Sequence, residues 1–201
     1  MAKVLIRGGG VAASCCARLL SRSGVPFVSE AVKRPTLPAI MMSDTTQKLF
    51  ADLFERNDLF EGVPRIRNRV VAWGANAKPL MLPHNAVVMS EQMLLERIQS
   101  RHGHDEGAAE SDCAWTIVTS RPLPATSVEH HFGSRTATAS EVKLEPKSNA
   151  ETCWVESLPN GWLFLLPAAH GSETMLFTTS RAAPRTATSS STNVRPKIRM
   201  P

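Results

Sequence analysis

Three small residues near the start of the chain have the spacing of a phosphate-binding turn. They form the pattern Gly8-x-Gly10-x-x-Ala13. In such a pattern the first glycine allows a tight turn, the second lets a pyrophosphate approach the backbone, and the third small residue lets a helix pack closely on a strand. The free amides at the start of the helix then face the phosphates, assisted by the helix dipole. The spacing therefore predicts recognition of a dinucleotide by backbone groups.

The flanking segments predict the strand, helix and strand that such a turn requires. Residues 4–6 are an apolar strand, and residues 11–20 form a helix of small and apolar residues. Gly24 stands where a left-handed residue commonly ends a helix. Residues 27–29 are a second strand, and Glu30 follows it. An acid roughly 20 residues past the glycines can accept hydrogen bonds from an adenosine ribose.

Together these signals predict a Rossmann-like βαβ unit. A glycine turn without a ligand is the competing interpretation, and the coincidence of five local signals argues against it. The prediction requires backbone amides near residue 10 that no side chain covers. Arg7 could pair with a phosphate or face solvent, and both alternatives remain open. The predicted cofactor-binding residues are Gly8, Gly9, Gly10, Val11, Ala12, Ala13, Glu30 and Arg34.

Composition and charge narrow the class of protein. The 201 residues are 42% hydrophobic, as in soluble globular proteins, and no apolar run approaches the length of a membrane span. A cytoplasmic location without a membrane partner is therefore expected. The net charge of +5 equals the number of Arg and Lys residues after Glu173, where there is no acid. The body is neutral, so nucleic-acid binding by the fold is not expected.

The cysteines and histidines predict neither a disulfide framework nor a metal site. Cys15, Cys16, Cys113 and Cys153 show no C-x-x-C spacing. Free cysteines commonly pack as small apolar residues. Residues 101–112 contain two histidines and two neighbouring acids, but no second ligand group lies at zinc-like spacing. That segment is interpreted as a solvated loop.

Between the βαβ unit and this loop, the pattern alternates between helix and strand. A helix begins at Ser43-Asp44, and another follows Ser90, which is a good N-cap. Residues 80–82 and 86–89 are predicted to be two short strands around Pro83-His84-Asn85. The apolar face of the helix that begins at Ser43-Asp44 is predicted to comprise Leu49, Phe50, Leu53 and Phe54.

The rest of the chain predicts an antiparallel sheet. Leu158-Pro159-Asn160-Gly161 is a hairpin signal between two apolar strands. The predicted strands are residues 114–119, 141–145, 152–157, 162–166 and 174–179. The predicted domains are residues 1–112, a dinucleotide-binding region, residues 113–180, a partial antiparallel sheet, and residues 181–201, a disordered basic tail.

With these residues the sequence resembles FAD-dependent oxidoreductases of the p-hydroxybenzoate-hydroxylase-like class, which also contains the flavin-dependent halogenases. The resemblance covers residues 1–177. It is carried by residues 4–30, by the segment from Leu37-Pro38-Ala39-Ile40 to Trp73-Gly74, and by Gly161-Trp162-Leu163-Phe164-Leu165-Leu166-Pro167. It implies an α/β fold with a Rossmann-like FAD-binding βαβ unit and an appended, incomplete antiparallel β-sheet.

The resemblance also implies how FAD would be held and used. Its pyrophosphate would lie on the turn from Gly8 to Ala13, and its ribose on Glu30. Reduced flavin and oxygen would then transfer oxygen or activate halide, with the protein positioning the cofactor. A small-molecule substrate and a flavin or NAD(P)H reductant are the implied partners.

The sequence departs from this class at several motifs. No arginine opens the helix after Ser90, and no Asp-Gly follows the strand near Val118. The Gly-Asp motif expected beyond Pro167 is absent. The lysine that halogenases have just ahead of Trp73 is missing, because residues 65–69 contain no lysine, and this disfavours halogenation. The change in composition near Ser172 indicates truncation or a change of reading frame, so full turnover is not expected and no catalytic side chain is predicted.

Four functional hypotheses follow. The first is a truncated FAD-binding oxidoreductase that is monooxygenase-like. The second is a non-catalytic remnant or interaction module that keeps the fold without binding flavin. Binding of nucleic acid or acidic surfaces through the basic tail is the third. The fourth is an NAD-binding dehydrogenase, which the antiparallel sheet disfavours because NAD domains continue as alternating strands and helices.

Overall fold

A computed structural model of the chain describes residues 3–74, 78–98, 113–130, 135–143, 150–159, 161–167 and 173–181. The chain divides into two compact units. Unit 1 comprises Met1–Val63 and Met89–His130, and unit 2 comprises Pro64–Val88 and His131–Pro201. The described elements, in chain order, are β1 (Lys3–Arg7), α1 (Gly10–Arg22), β2 (Phe27–Glu30), β3 (Ile40–Ser43), α2 (Asp44–Phe54), β4 (Arg65–Ala72), β5 (Leu80–Met89), α3 (Glu91–Ile98), β6 (Cys113–Val118), β7 (Arg135–Lys143), β8 (Thr152–Leu158), β9 (Gly161–Pro167) and β10 (Glu173–Arg181).

Unit 1 contains a three-stranded parallel sheet in the order β2-β1-β6. The central strand β1 is buried at Val4, Leu5 and Ile6, as a strand with neighbours on both sides should be. Helix α1 connects β1 to β2, which confirms the predicted βαβ unit. The prediction that placed residues 114–119 in the antiparallel sheet is wrong, because β6 pairs in parallel with β1.

Helix α1 has the predicted C-terminus. Gly24 has a φ of +65°, the left-handed conformation that glycine adopts without a Cβ clash. Near this end, Arg18 Nε donates to the carbonyl oxygen of Leu53 at 3.1 Å. Arg22 Nη1 donates to the carbonyl oxygen of Asp52 at 3.1 Å. These cations lie at the C-terminus of α2, where helix carbonyls lack partners and the dipole favours positive charge.

Helix α2 begins as predicted, but its buried face is narrower than expected. The Ser43 hydroxyl accepts a hydrogen bond from the Thr46 amide at 3.3 Å, as an N-cap does. The side chains of Phe50, Leu53 and Phe54 are buried. Leu49, predicted to share this face, is 63% exposed. Successive helix residues are rotated by about 100°, which places Leu49 at the edge of the face that the other three define.

The described residues of unit 2 form strands in the order β5-β4-β8-β9-β10-β7. Strands β4 and β8 are parallel, and all other neighbouring pairs are antiparallel. Leu158 and Gly161 are paired at the turn between β8 and β9, which confirms the predicted hairpin. The fold is therefore α/β, with a βαβ unit and a largely antiparallel second sheet, as the sequence predicted.

Strand β5 corrects the prediction of two short strands. It is continuous from Leu80 to Met89, and its pairing with β4 changes register between Ile66 and Asn68. Ile66 pairs with Ala86 and Asn68 with Pro83, so the bulge takes up the residues between them. Proline lacks an amide donor and is tolerated at a bulge, which explains why Pro83 does not end the strand.

Three further observations concern the described residues. All four cysteines are free, and Cys153 is fully buried in β8, in keeping with a packing role. No helix in the described ranges is long and apolar enough to cross a membrane. No group of three or more metal-ligating side chains is found among these residues. The predicted loop at residues 101–112 and the predicted tail beyond Arg181 lie outside the described residues.

Candidate functional site

The glycine turn lies where three parallel strands end. The amide of Gly8 donates to the carbonyl oxygen of Glu30, the last residue of β2, at 2.9 Å. The amide of Thr119, which follows β6, donates to the carbonyl oxygen of Arg7 at 2.9 Å. Ligands of open parallel sheets bind at the carboxyl ends of the strands. The fold therefore places the predicted phosphate-binding turn at the edge of the sheet where such a ligand is expected.

Gly8 is required by its neighbours as well as by the turn. Its φ is +135°, a conformation that residues with a side chain rarely adopt. A Cβ at this position would overlap the hydroxyl oxygen of Thr119 and lie 2.7 Å from that of Ser120. The turn and the end of β6 thus approach so closely that only a glycine can stand between them.

The start of α1 has no side-chain cap of its own. Gly9 is the N-cap in an extended conformation, and a Cβ there would lie 3.2 Å from the carbonyl oxygen of Val32. The first amides of a helix have no intrahelical partner. Ala12 is exposed and Ala13 half-buried. The helix start that the sequence predicted is therefore present in unit 1, and phosphate binding by its amides remains a prediction.

Two side chains lie against Gly10. Gly10 has a φ of +80°, and a Cβ built on it would overlap Arg34 Nη2 and lie 2.6 Å from Glu91 Oε1. The same Glu91 oxygen accepts a hydrogen bond from the Val11 amide at 3.5 Å. The expectation that no side chain covers the amides near residue 10 is therefore not met. A helix N-terminus attracts carboxylates. Because Gly10 has no side chain, there is space beside it for the Glu91 carboxylate.

Glu91 is the buried acceptor of a set of hydrogen bonds. It is 2% exposed, and its Oε2 accepts from Arg34 Nη1 and from the Leu37 amide, both at 2.9 Å. Its Oε1 also pairs with Arg34 Nη2. The hydrogen bond from Arg34 lowers the pKa of Glu91 despite its burial, and the same bond raises the pKa of Arg34. Both groups are charged at neutral pH.

Sequence reasoning missed Glu91. The resemblance directed attention to an arginine at the start of α3, and the structure has a carboxylate there. Glu91 and Arg34 are 57 positions apart in sequence, so no local pattern pairs them. The available signal was an acidic residue, Glu91, at the start of α3, where the resemblance led us to expect an arginine.

Glu30 lies at the end of β2, as predicted, and pairs with Arg7. The two residues are opposite each other in the register of β1 and β2, and Arg7 Nε lies 3.4 Å from Glu30 Oε1. The two side chains are 36% and 45% exposed. The structure thus adds a third possibility to the two left open for Arg7. Exposed ion pairs contribute about 0–1 kcal/mol, so Glu30 can exchange this partner at little cost.

Comparisons with known proteins identify the fold. A comparison with protein-family models gives no match, and neither does a comparison with curated protein sequences. Solved structures do match. Klebsiella pneumoniae HpxO, solved as an R204Q variant with FAD, has a TM-score of 0.66 and 12% identity, and the match covers 94% of this chain and 59% of that one.

Two further solved structures give the same result. The myxobacterial chondrochloren halogenase CndH, a FAD-dependent halogenase, has a TM-score of 0.66 and 14% identity over 90% of this chain and 53% of its own. The 2,6-dihydroxypyridine-3-hydroxylase from Arthrobacter nicotinovorans has a TM-score of 0.62 and 13% identity over 90% and 57%. The chain spans about half the length of these proteins. Its fold is similar to the folds of these three proteins, which confirms the fold that the resemblance implied.

Proposed function

We propose that this chain binds FAD and functions as a monooxygenase-like oxidoreductase. One observation carries the proposal: three strand ends converge on the turn from Gly8 to Gly10, with the Arg34 cation against Gly10 and Glu30 at the end of β2. The likeness of the fold to FAD-dependent enzymes supports it. A cytoplasmic location and a small-molecule substrate belong to the same proposal, as does a flavin or NAD(P)H reductant.

Different residues of unit 1 would bind different parts of FAD. The amides at the start of α1 and the Arg34 guanidinium would hold the pyrophosphate, and Glu30 would hold the ribose. The bound flavin supplies the redox chemistry. Unit 2 is assigned to the substrate, as part of the proposal. No side chain among the described residues is assigned as a catalytic acid, base or nucleophile.

The donor set at the turn fits a pyrophosphate with one exception. Glycines at positions 8 to 10, free helix amides and a guanidinium all suit an anion. The Glu91 carboxylate does not, because a like charge beside it would be repelled. FAD binding therefore requires Glu91 to give up its place at the Val11 amide.

A titration of the purified chain with FAD tests the proposal. Wild-type protein should perturb the absorption bands of oxidised flavin, and ADP should compete. Gly10→Ala should weaken FAD binding by at least about tenfold, or 1.4 kcal/mol, because its Cβ enters the phosphate side of the turn. Gly62→Ala is the control, since Gly62 also has a positive φ of +68° but open space around it. A wild-type chain without affinity for FAD or ADP would refute the proposal.

A non-catalytic module that keeps the fold without flavin is the second candidate. The observation that favours it is the filling of the turn by Arg34 and Glu91, which satisfies the Val11 amide without any ligand. This candidate predicts that the folded chain retains no FAD once unbound FAD has been removed. The Glu91→Gln variant should likewise stay colourless.

A further inference from the structure

The ion pair between Arg34 and Glu91, here called the Arg34–Glu91 pair, occupies the place where the ligand phosphate is proposed to bind. We propose that Glu91 is an internal anion that closes the dinucleotide site. The site opens when Arg34 exchanges the Glu91 carboxylate for a phosphate of the ligand. This inference rests on the proposed function and deepens it by naming how the same site is regulated.

The geometry shows that the carboxylate already makes the contacts that a phosphate would need. Glu91 Oε1 accepts from the Val11 amide at the start of α1, at 3.5 Å. Both terminal nitrogens of Arg34 face the two oxygens of Glu91. Such a bidentate pair engages the same fork of the guanidinium that recognises phosphate. Arg34 therefore cannot bind Glu91 and a pyrophosphate in this way at once.

The Glu91 carboxylate and the ligand pyrophosphate are both negatively charged, so they compete for Arg34. Glu91 is 2% exposed, and its pKa is lowered mainly by the hydrogen bond from Arg34. At neutral pH it therefore does not lose its charge by protonation. A pyrophosphate entering beside this carboxylate would meet a like charge in a poorly solvated place, where repulsion is strong. The ligand must displace the carboxylate.

The segment that carries Arg34 is the part that would move. Residues 31–39 form neither helix nor strand. The segment is attached to the start of α3 by the Arg34–Glu91 pair and by two bonds of Leu37. The Leu37 amide donates to Glu91 Oε2 at 2.9 Å, and its carbonyl oxygen accepts from the Glu91 amide at 2.9 Å. Loss of the carboxylate contact would free the Leu37 amide, which provides a reporter of opening.

A purely structural role for the pair gives a different expectation. If Glu91 only attaches residues 31–39 to α3, its neutralisation lowers stability and leaves anion affinity unchanged. If Glu91 closes the site, its neutralisation raises anion affinity. The sign of the change in affinity separates the two roles.

The decisive experiment compares inorganic pyrophosphate binding by wild-type protein, Glu91→Gln and Glu96→Gln, using calorimetry. Glu96 is the matched control, because it is an exposed glutamate on the same helix. Its Oε1 accepts a hydrogen bond from Gln92 Nε2 at 3.0 Å. Both variants remove one negative charge. Glu91→Gln should bind pyrophosphate at least about tenfold more tightly than the other two, within the usual range of coupling between sites. Equal or weaker binding by Glu91→Gln would overturn the inference.

A second measurement decides the matter if Glu91→Gln does not fold. In the wild-type chain, saturating pyrophosphate should accelerate hydrogen exchange of the Leu37 amide, and unchanged exchange would overturn the inference. Titration with FAD separates the two proposals. A gain in pyrophosphate affinity without FAD binding supports the Glu91 switch and refutes the flavin proposal. Equal FAD affinities for wild type and Glu91→Gln support the flavin proposal and refute the switch.

Discussion

Arg34 Nη1 donates to Glu91 Oε2 at 2.9 Å, directly against Gly10, and Glu91 is almost completely buried. The glycine turn that we propose to bind an anion thus contacts an anion supplied by the chain itself. The pair joins the loop after β2 to the start of α3. Its energetics therefore bear on the stability of unit 1 as well as on ligand binding.

Removal of the Arg34 guanidinium should lower the free energy of unfolding. Arg34→Ala leaves the Glu91 carboxylate buried without its charged partner, a change that typically costs about 3–5 kcal/mol. Urea unfolding of wild type and variant measures the loss. Arg121→Ala is the control, because Arg121 pairs with Glu129 through a side chain that is 71% exposed. Exposed pairs contribute about 0–1 kcal/mol. A loss for Arg34→Ala no larger than that of the control would contradict this reading.

The contribution of Glu91 to stability should depend on pH with a defined sign. The pKa of Glu91 lies below its ordinary value of 4.5 in the folded chain, chiefly because of the hydrogen bond from Arg34. A carboxyl with a lowered folded pKa stabilises the fold above its unfolded pKa and loses that effect as the pH falls through the folded pKa. Arg34, the charged group that faces it, stays protonated throughout.

The corresponding measurement is the free energy of unfolding of wild type and Glu91→Gln between neutral and acid pH. The difference should be constant above the ordinary carboxyl pKa and should shrink below it. A difference that stays constant into acid would show that the charge of Glu91 does not contribute to stability.

Substitution of Gly8 should destabilise the chain whether or not a ligand is present. A Cβ there overlaps the Thr119 hydroxyl, and the φ of +135° is unfavourable for alanine. Gly8→Ala should therefore lose more than the roughly 1–2 kcal/mol that a left-handed conformation alone costs. Gly62→Ala, with a φ of +68° and no neighbour within 4 Å, gives the cost of a left-handed conformation without a packing clash in thermal or urea unfolding. Equal losses at the two positions would refute the packing argument.

Glu30 should matter for binding and little for stability. Its ion pair with Arg7 is partly exposed, so Glu30→Gln should change the free energy of unfolding by less than about 1 kcal/mol. FAD affinity should fall by at least about tenfold if the carboxylate holds the ribose, because hydrogen bonds to charged groups contribute about 1.5–3 kcal/mol. Glu55→Gln is the matched control, since Glu55 pairs with Arg18 at 3.0 Å. An unchanged Kd for Glu30→Gln would remove Glu30 from the site.

The sequence predicted those features that depend on neighbouring residues. The apolar run before Gly8 predicted β1, the left-handed Gly24 predicted the end of α1, and Ser43 and Ser90 predicted the starts of two helices. Caps and glycine turns act within a few residues, so one segment contains all the information.

Features that depend on distant residues were not predicted. β6 pairs with β1 through contacts such as Ile6 with Ile117, and its apolar pattern suits either a parallel or an antiparallel neighbour. The bond between Arg34 and Glu91 joins two segments without any shared periodicity. The glycine turn was therefore located from sequence and Arg34 was assigned to it, but Glu91 and its bond to Arg34 were not predicted.

The most direct test of the central claim is an equilibrium titration of FAD into wild-type protein, Glu91→Gln and Gly10→Ala, followed by flavin absorption. The turn from Gly8 to Gly10 should bind the cofactor, so wild type should perturb the flavin spectrum. Glu91→Gln should do so at lower FAD concentration, and Gly10→Ala only weakly. A flavin spectrum left unchanged by the wild-type chain would contradict the account.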